Sequence, residues 1–200
     1  MKDKELLATM KREWAEQLRF FSNRGKAERE RWVVKAFLSG LRIPFEASEI
    51  TSRTQDDAVD VDFREARFQV KEITTPGEKR QAEIASTFKR VQVAQSLQDT
   101  IGPGFVYDTP PIISGDDLVG SEAARLATDP KYLPSKHNLD LLLYVTRTFV
   151  SIPQLQSDTQ ALSKLGWRSI SCLFGAQSFV LFAGPEAPGF LQYAINTSSI

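Results

Sequence analysis

The order of elements along the 200-residue chain predicts an α/β fold. Three observations carry that reading: apolar residues at helical spacing in two N-terminal segments, an alternating hairpin between Val59 and Ile73, and a strongly apolar, β-branched run from Leu139 to Val150. Leu7, Met10, Trp14, Leu18 and Phe21 predict an amphipathic first helix, which Asn23 to Gly25 interrupts. A second helix is expected from about Lys26 to Ser39, with Val33, Val34, Phe37 and Leu41 on one stripe and Gly40 as its stop. A first strand is expected over Ile43 to Ile50, with Pro44 near its start, where a missing N–H matters least. Polar residues from Thr51 to Asp57 then form a loop before the hairpin.

Beyond the hairpin, Thr74-Thr75-Pro76-Gly77 opens a third helix, roughly Glu78 to Asp99, with Ile84, Phe88, Val91 and Gln95 along one side. Gly102 to Asn138 is rich in Gly and Pro and offers one short helical segment, Ser121 to Thr128. That length is unusual for a connection, so it implies a functional flap or a further element. Leu139 to Val150 reads as a buried strand, Leu155 to Leu165 as a helix, and Ile170–Phe174 with Phe179–Phe182 as a second hairpin around Gly175-Ala176-Gln177-Ser178. The chain reads as a single domain: an N-terminal helix (1–22), a core (26–150) and a C-terminal helix and hairpin extension (151–200).

Hydrophobic residues make up 42% and charged residues 25% of the chain, as in soluble globular proteins. The formal net charge is zero, so nucleic acid would have to be met by a local basic patch rather than by bulk charge. A lone cysteine, Cys172, excludes an intrachain disulfide and a cysteine-rich zinc site. The charged start, Met1-Lys2-Asp3-Lys4-Glu5, is not a signal peptide, and no run approaches the ~18 apolar residues of a membrane span. No membrane partner is expected, and a reducing cytoplasm is the simplest location.

The hairpin carries the chemistry. Val59, Val61 and Phe63 share one face of the first strand and Asp60 and Asp62 the other; Phe68 and Val70 oppose Arg67, Gln69 and Lys71 on the second. Only registers that pair odd with even positions keep the apolar groups together. A two-residue turn at Arg64-Glu65 sets Asp60 opposite Gln69 and Asp62 opposite Arg67. A four-residue loop instead sets Asp62 opposite Gln69 and Asp60 opposite Lys71. Arg-Glu is a poor two-residue turn, because such turns favour Gly or Asn, so the register stays open. In both registers a carboxylate, Gln69 and Lys71 converge. A carboxylate and an amide oxygen are hard ligands suited to Mg²⁺ or Mn²⁺, and a neighbouring lysine can steady a phosphoryl transition state. An ordinary solvated hairpin face, with Asp62–Arg67 as a cross-strand ion pair, would show the same alternation.

Helix, strand, a hairpin bearing Val59-Asp60 and Gln69-Val70-Lys71, then a helix and a buried strand resemble the PD-(D/E)xK nuclease superfamily over roughly residues 26–150. The chain is also similar to the domain of unknown function numbered 1780, a small bacterial family described as candidate endonucleases. The resemblance implies a restriction-endonuclease-like mixed sheet of about four central strands with helices on both faces. It also implies metal-dependent hydrolysis of phosphodiester bonds, in DNA, through a metal-activated water. Asp60 would be the metal ligand, with Asp62 as understudy, Gln69 in place of the usual acid, and Lys71 acting on the water. Val59 stands where the signature has proline, and Gln69 is found in the branch resembling Mrr-type restriction enzymes. The preceding helix often supplies a glutamate; Glu30 lies on its Val33–Phe37 stripe and is preferred to Glu28.

Lys79, Arg80, Lys89 and Arg90 are candidate contacts to a nucleic-acid backbone, and Arg24, Lys26, Arg29, Arg31 and Lys35 form a second basic cluster. His137 sits in a loop, Cys172 reads as an inert core residue, and the stripe of the first helix could serve packing or a homodimer. The rival expectation is a non-catalytic module that keeps the nuclease scaffold to bind nucleic acid or a protein.

Overall fold

Six strands form one sheet in sequential order: β1 (Ile50–Ser52), β2 (Val61–Phe63), β3 (Ala66–Ile73), β4 (Asp140–Val145), β5 (Ser169–Phe174) and β6 (Gln177–Ala183). β1, β2 and β3 are antiparallel, β4 and β5 run parallel to β3, and β6 returns antiparallel to β5. The sheet is therefore mixed, as expected. This computed structural model describes residues 3–54, 57–77, 79–102, 110–154 and 158–197. Glu78 and Leu155, the expected starts of two helices, and parts of the 51–57 and 102–138 connections lie outside the described residues.

The chain divides into two compact units, Met1–Arg29 with Pro76–Thr109 and Glu30–Thr75 with Pro110–Ile200. In the first, α1 (Asp3–Phe21) packs on α3 (Arg80–Val93); Lys11 Nζ donates to Ala94 O at 3.0 Å. Gly25 is required where the chain reverses after α1, since an added Cβ would lie 2.3 Å from Phe20 O. α3 ends at Val93 rather than at Asp99. The Asp99 carboxylate accepts from the N–H groups of Gln95 and Ser96 (3.0 and 2.9 Å), and this local turn competes with helix continuation.

The second unit holds the sheet, α2 (Lys26–Gly40) from Glu30 onward, α4 (Gly115–Ala127), α5 (Thr159–Ser163) and α6 (Gly189–Thr197). Alternation along the strands gives the sheet two apolar faces. Phe63, Phe68, Val70, Leu142 and Leu173 cluster with Val33, Val34, Phe37 and Leu38 of α2 and Leu191 of α6. Ile73, Leu141, Leu143, Ile170 and Cys172 cluster with Leu118, Val119, Ala123 and Leu126 of α4 and Leu162 of α5. Central strands covered on both faces read as continuous apolar runs, which is why Leu139 to Val145 was legible as a buried strand.

Several boundaries differ from expectation. The first strand is only Ile50–Ser52; before it Ala47–Glu49 forms a 3₁₀ turn closed by a Glu46/Glu49 capping box. β4 stops at Val145, because the N–H groups of Thr146 and Arg147 both turn to Ile73 O at 3.0 Å. α4 starts at Gly115, with the Ser114 hydroxyl accepting from Asp117 N (3.3 Å), and so fills part of the long connection. α5 is confined to Thr159–Ser163, and α6 was not anticipated. Among the described residues no helix is long and apolar enough to cross a membrane.

At the start of β4, Asp140 is fully buried. It accepts from Arg67 N (2.8 Å), Ser169 Oγ (2.8 Å), Arg168 Nε (3.1 Å) and Arg168 Nη2, while Nη2 also reaches Glu65 O at 2.9 Å. One carboxylate thus ties the β2–β3 turn to β4 and β5.

Candidate active site

The ladder between β2 and β3 pairs Val61 with Phe68, Asp62 with Arg67 and Phe63 with Ala66, so the turn is the two-residue one at Arg64–Glu65. Arg64 adopts φ +50°, a conformation unfavourable for a long side chain. Contacts distant in sequence hold it there: Nε to Glu49 Oε1 and Nη2 to Pro44 O, each 2.9 Å, with the guanidinium 4.7 Å from the Phe63 ring centroid. The Arg64 bond also holds the Glu49 carboxyl below its ordinary value.

This register sets Asp60 beside Gln69. Asp60 N donates to Phe68 O (2.9 Å), and Asp60 Oδ2 accepts from Gln69 Nε2 and from Val70 N (3.0 Å). β2 begins only at Val61, so its backbone ladder ends short of Val70, and the Asp60 carboxylate serves that N–H instead. Asp60 is 6% exposed and Gln69 is fully buried, yet Gln69 Oε1 has no hydrogen-bond partner among the described residues. Lys71 follows on the same face of β3, half-buried, with Nζ 5.7 Å from the ring centroid of Tyr132.

The other residues read from the sequence are placed differently. Asp62 shares the Asp60 face but is bound by Arg53 Nε. Glu30 is buried, one turn before Val33 and Val34, and α2 packs on the face of Phe68 and Val70. Gln69 and Lys71 alternate to the opposite face, so Glu30 does not join them. Glu28 is paired with Arg19 at 2.7 Å. Lys79 and Lys89 are exposed, whereas the Arg80 guanidinium lies 5.4 Å from the Phe21 ring centroid and Arg90 Nε donates to Thr100 O (3.1 Å). In the second basic cluster Arg29 donates to Phe20 O and Arg31 to Ser52 Oγ, each at 2.7 Å. His137 is exposed and bonds only locally, to Asn138 Nδ2 at 2.9 Å. Cys172 is buried, and burial pushes its thiol up to about 12, which leaves it protonated and inert.

Sequence reasoning missed three residues near the hairpin, on one face of the sheet or the other. Tyr132 comes from a loop with no local pattern. Glu72, on the α2 face of β3, accepts from Thr146 Oγ1 at 3.0 Å. Asp140 did carry a signal, as an acid opening an otherwise apolar run. A groove of about 590 Å³ between α4 and α5 is lined by Asp116, Asp117 and Asp158. Asp116 accepts from Gln154 N, and Asp158 caps α5 by accepting from Gln160 N and Ala161 N. Among the described residues no group of three His, Cys, Asp or Glu side chains is placed to hold a metal ion.

No curated protein matches the chain. A solved structure from Pseudomonas aeruginosa strain PAO1, described as a protein of unknown function of the monooxygenase superfamily, is similar with a TM-score of 0.58. The two are 23% identical over 98% of this chain and 93% of that one, a likeness of fold alone. A family model described as "Putative endonuclease, protein of unknown function (DUF1780)" matches residues 2–199. From Lys2 to Ser199, then, the chain belongs to this family of unknown function.

Proposed function

We infer that the chain is a metal-dependent nuclease of restriction-endonuclease-like fold, hydrolysing phosphodiester bonds in DNA. The observation that carries this reading is Gln69 Oε1: a fully buried acceptor without a partner among the described residues, beside the Asp60 carboxylate, with Lys71 next on the same face. The order α2, β1, the β2–β3 hairpin, α3, α4 and a β4 parallel to β3 supports the same superfamily.

The donor set fits a hard divalent ion such as Mg²⁺ or Mn²⁺. Asp60 supplies a carboxylate and Gln69 an amide oxygen, and waters with substrate oxygens complete such shells when the protein offers few ligands. The amide at present turns Nε2 toward Asp60, so a ligating Gln69 would rotate to exchange Nε2 and Oε1. Asp62 would have to leave Arg53 to contribute. A bound ion would acidify a water and offset charge on the phosphate. Lys71 would hold its ammonium against the phosphoryl oxygens, and Lys79 and Lys89 would meet the DNA backbone.

Purified protein should cut plasmid and linear DNA with Mg²⁺ or Mn²⁺. Lys71→Ala should abolish cutting while leaving the thermal midpoint nearly unchanged, because Lys71 is only half-buried. Cutting that survives in this variant removes Lys71 from the chemistry. A second reading, a non-catalytic binding module, is favoured by the existing engagement of both acids, Asp60 by Val70 N and Asp62 by Arg53. Calorimetry separates the two: uptake of Mn²⁺ that disappears in Asp60→Asn supports the enzyme, and no uptake even with DNA present supports the module.

A further inference from the structure

Two ammonium groups converge on one aromatic ring on the α4 face of the sheet. Lys71 Nζ lies 5.7 Å and Lys131 Nζ 5.4 Å from the centroid of Tyr132, so the nitrogens are no farther apart than those distances combined. The ring is fixed in place. Tyr132 is 2% exposed, belongs to the same apolar cluster as Ile73 and Leu143, and packs on Trp167 with ring centroids 5.6 Å apart. Trp167 is itself held by its indole N–H donating to Ala123 O at 3.1 Å. The lysines therefore come to the ring, and not the reverse.

A ring face attracts each cation, but two like charges brought to one ring repel; Lys71 is half-buried and Lys131 is exposed to solvent, so an anion can reach them. Among the described residues neither lysine is ion-paired with a carboxylate. The neighbouring acid, Asp129, accepts from Lys131 N at 2.9 Å and closes a local turn. Arg125, one turn back along α4, is matched by Glu122 at 2.6 Å. Among the described residues these two ammonium groups thus share a ring and have no carboxylate partner, and an oxyanion would complete them.

We propose that Lys71 and Lys131, both held on the ring of Tyr132, form a subsite for a phosphate group. The inference deepens the nuclease reading and rests on it for the source of the phosphate: Lys71 serves the phosphate being cut and Lys131 a non-bridging oxygen of the same group or its neighbour. Tyr132 is the positioning residue. It touches no substrate and sets where both cations stand. The ligand chemistry is shared by a nucleic-acid phosphodiester and by free phosphate, and the test distinguishes them.

The full chain is titrated, in EDTA, into a fluorescein-labelled twelve-nucleotide oligothymidylate, and anisotropy is followed over a salt series; inorganic phosphate is the second probe, as competitor. Lys131→Ala and Lys131→Glu should weaken oligonucleotide binding by about three- to tenfold and make the slope of log K against log salt shallower by about 0.7, the signature of one lost phosphate contact on a single strand. Lys131→Arg should restore both. Tyr132→Phe should bind like the parent, and Tyr132→Leu should show the shallower slope. Because Tyr132 is buried and its truncation can unfold the chain, the Lys131 series decides. Unchanged affinity and slope in Lys131→Ala and Lys131→Glu overturn the subsite, as does a parent protein that binds neither probe. Lys131-dependent binding of inorganic phosphate alone supports the subsite and assigns it to a free anion. Cleavage with Mn²⁺ is scored separately. Cutting by a Lys131 variant that binds normally costs this inference and not the nuclease reading, whereas Lys131-dependent binding without cutting by the parent does the reverse.

Discussion

Two buried carboxylates in one sheet are treated in opposite ways. Asp140 accepts from a backbone N–H, a hydroxyl and the Nε and Nη2 of Arg168, whose Nη2 also donates to Glu65 O. Asp60 accepts from a backbone N–H and from an amide whose own oxygen is left without a partner. A complete buried network fixes structure, whereas an incomplete one costs stability unless something else fills it. The difference separates an acid that ties three strands together from one that lies beside an amide oxygen with no partner among the described residues.

The sharpest way to break this contrast is Asp140→Ala. It strands the Arg168 guanidinium, whose side chain is only 13% exposed, so urea unfolding should report a loss of about 3–5 kcal/mol. A loss below about 1 kcal/mol would mean that the network is ornamental.

Gln69→Glu probes the other acid. It places a second carboxylate against Asp60 in a buried position and should lower stability by about 2 kcal/mol without metal. Added Mn²⁺ should return that stability, seen as a metal-dependent rise in thermal midpoint larger than the parent's. If Mn²⁺ raises neither midpoint, the pair is not a cation site.

A milder check is the thiol of Cys172: native protein should ignore an aromatic disulfide reagent at pH 8 and react only on unfolding. Rapid labelling would show that this strand opens far more readily than its burial implies.

The smallest effect concerns the turn. Because Arg64 lowers the Glu49 carboxyl below its ordinary 4.5, the pair contributes stability above that range and loses it as pH falls through the lowered value. Both Glu49 and Arg64 remain open to solvent over a third or so of their side chains, so the contribution is slight and should fade in high salt. A Glu49→Gln variant should flatten the acid limb of the stability profile by a measurable but minor amount.

The fold was legible where periodicity reported burial directly. The Val33–Phe37 stripe, the Phe68/Val70 alternation and the Leu139–Val145 run each point to the cluster in which the structure buries them. The hairpin register was not legible. Its choice rests on Glu49 and Pro44 holding Arg64 at positive φ, and nothing in the Arg-Glu dipeptide announces such contacts. α6 escaped notice although Phe190, Leu191, Ala194 and Ile195 have helical spacing, because the segment is short and follows a Pro/Gly stretch. Strand parity put Gln69 and Lys71 on one face, but it failed at Val59, which was read with Val61 and Phe63 and joins the opposite cluster, because β2 begins only at Val61. The sequence placed Glu30 toward the sheet but could not say which side, since a helix stripe points at a core and not at one of its two surfaces.

With only two residues between β2 and β3, this hairpin can change in composition far more freely than in length. A single inserted residue would either slide Asp60 away from Gln69 or rotate Phe68 and Val70 out of the α2 cluster, because each step of one position inverts a strand's faces. Exchanges at position 64 are tolerable, with glycine and asparagine accepting the left-handed backbone most readily. Diverging copies of this chain are therefore expected to vary the letters at 64 and 65 and to keep their number, and an indel at that point would mark a lineage that has given up whatever Asp60 and Gln69 do together.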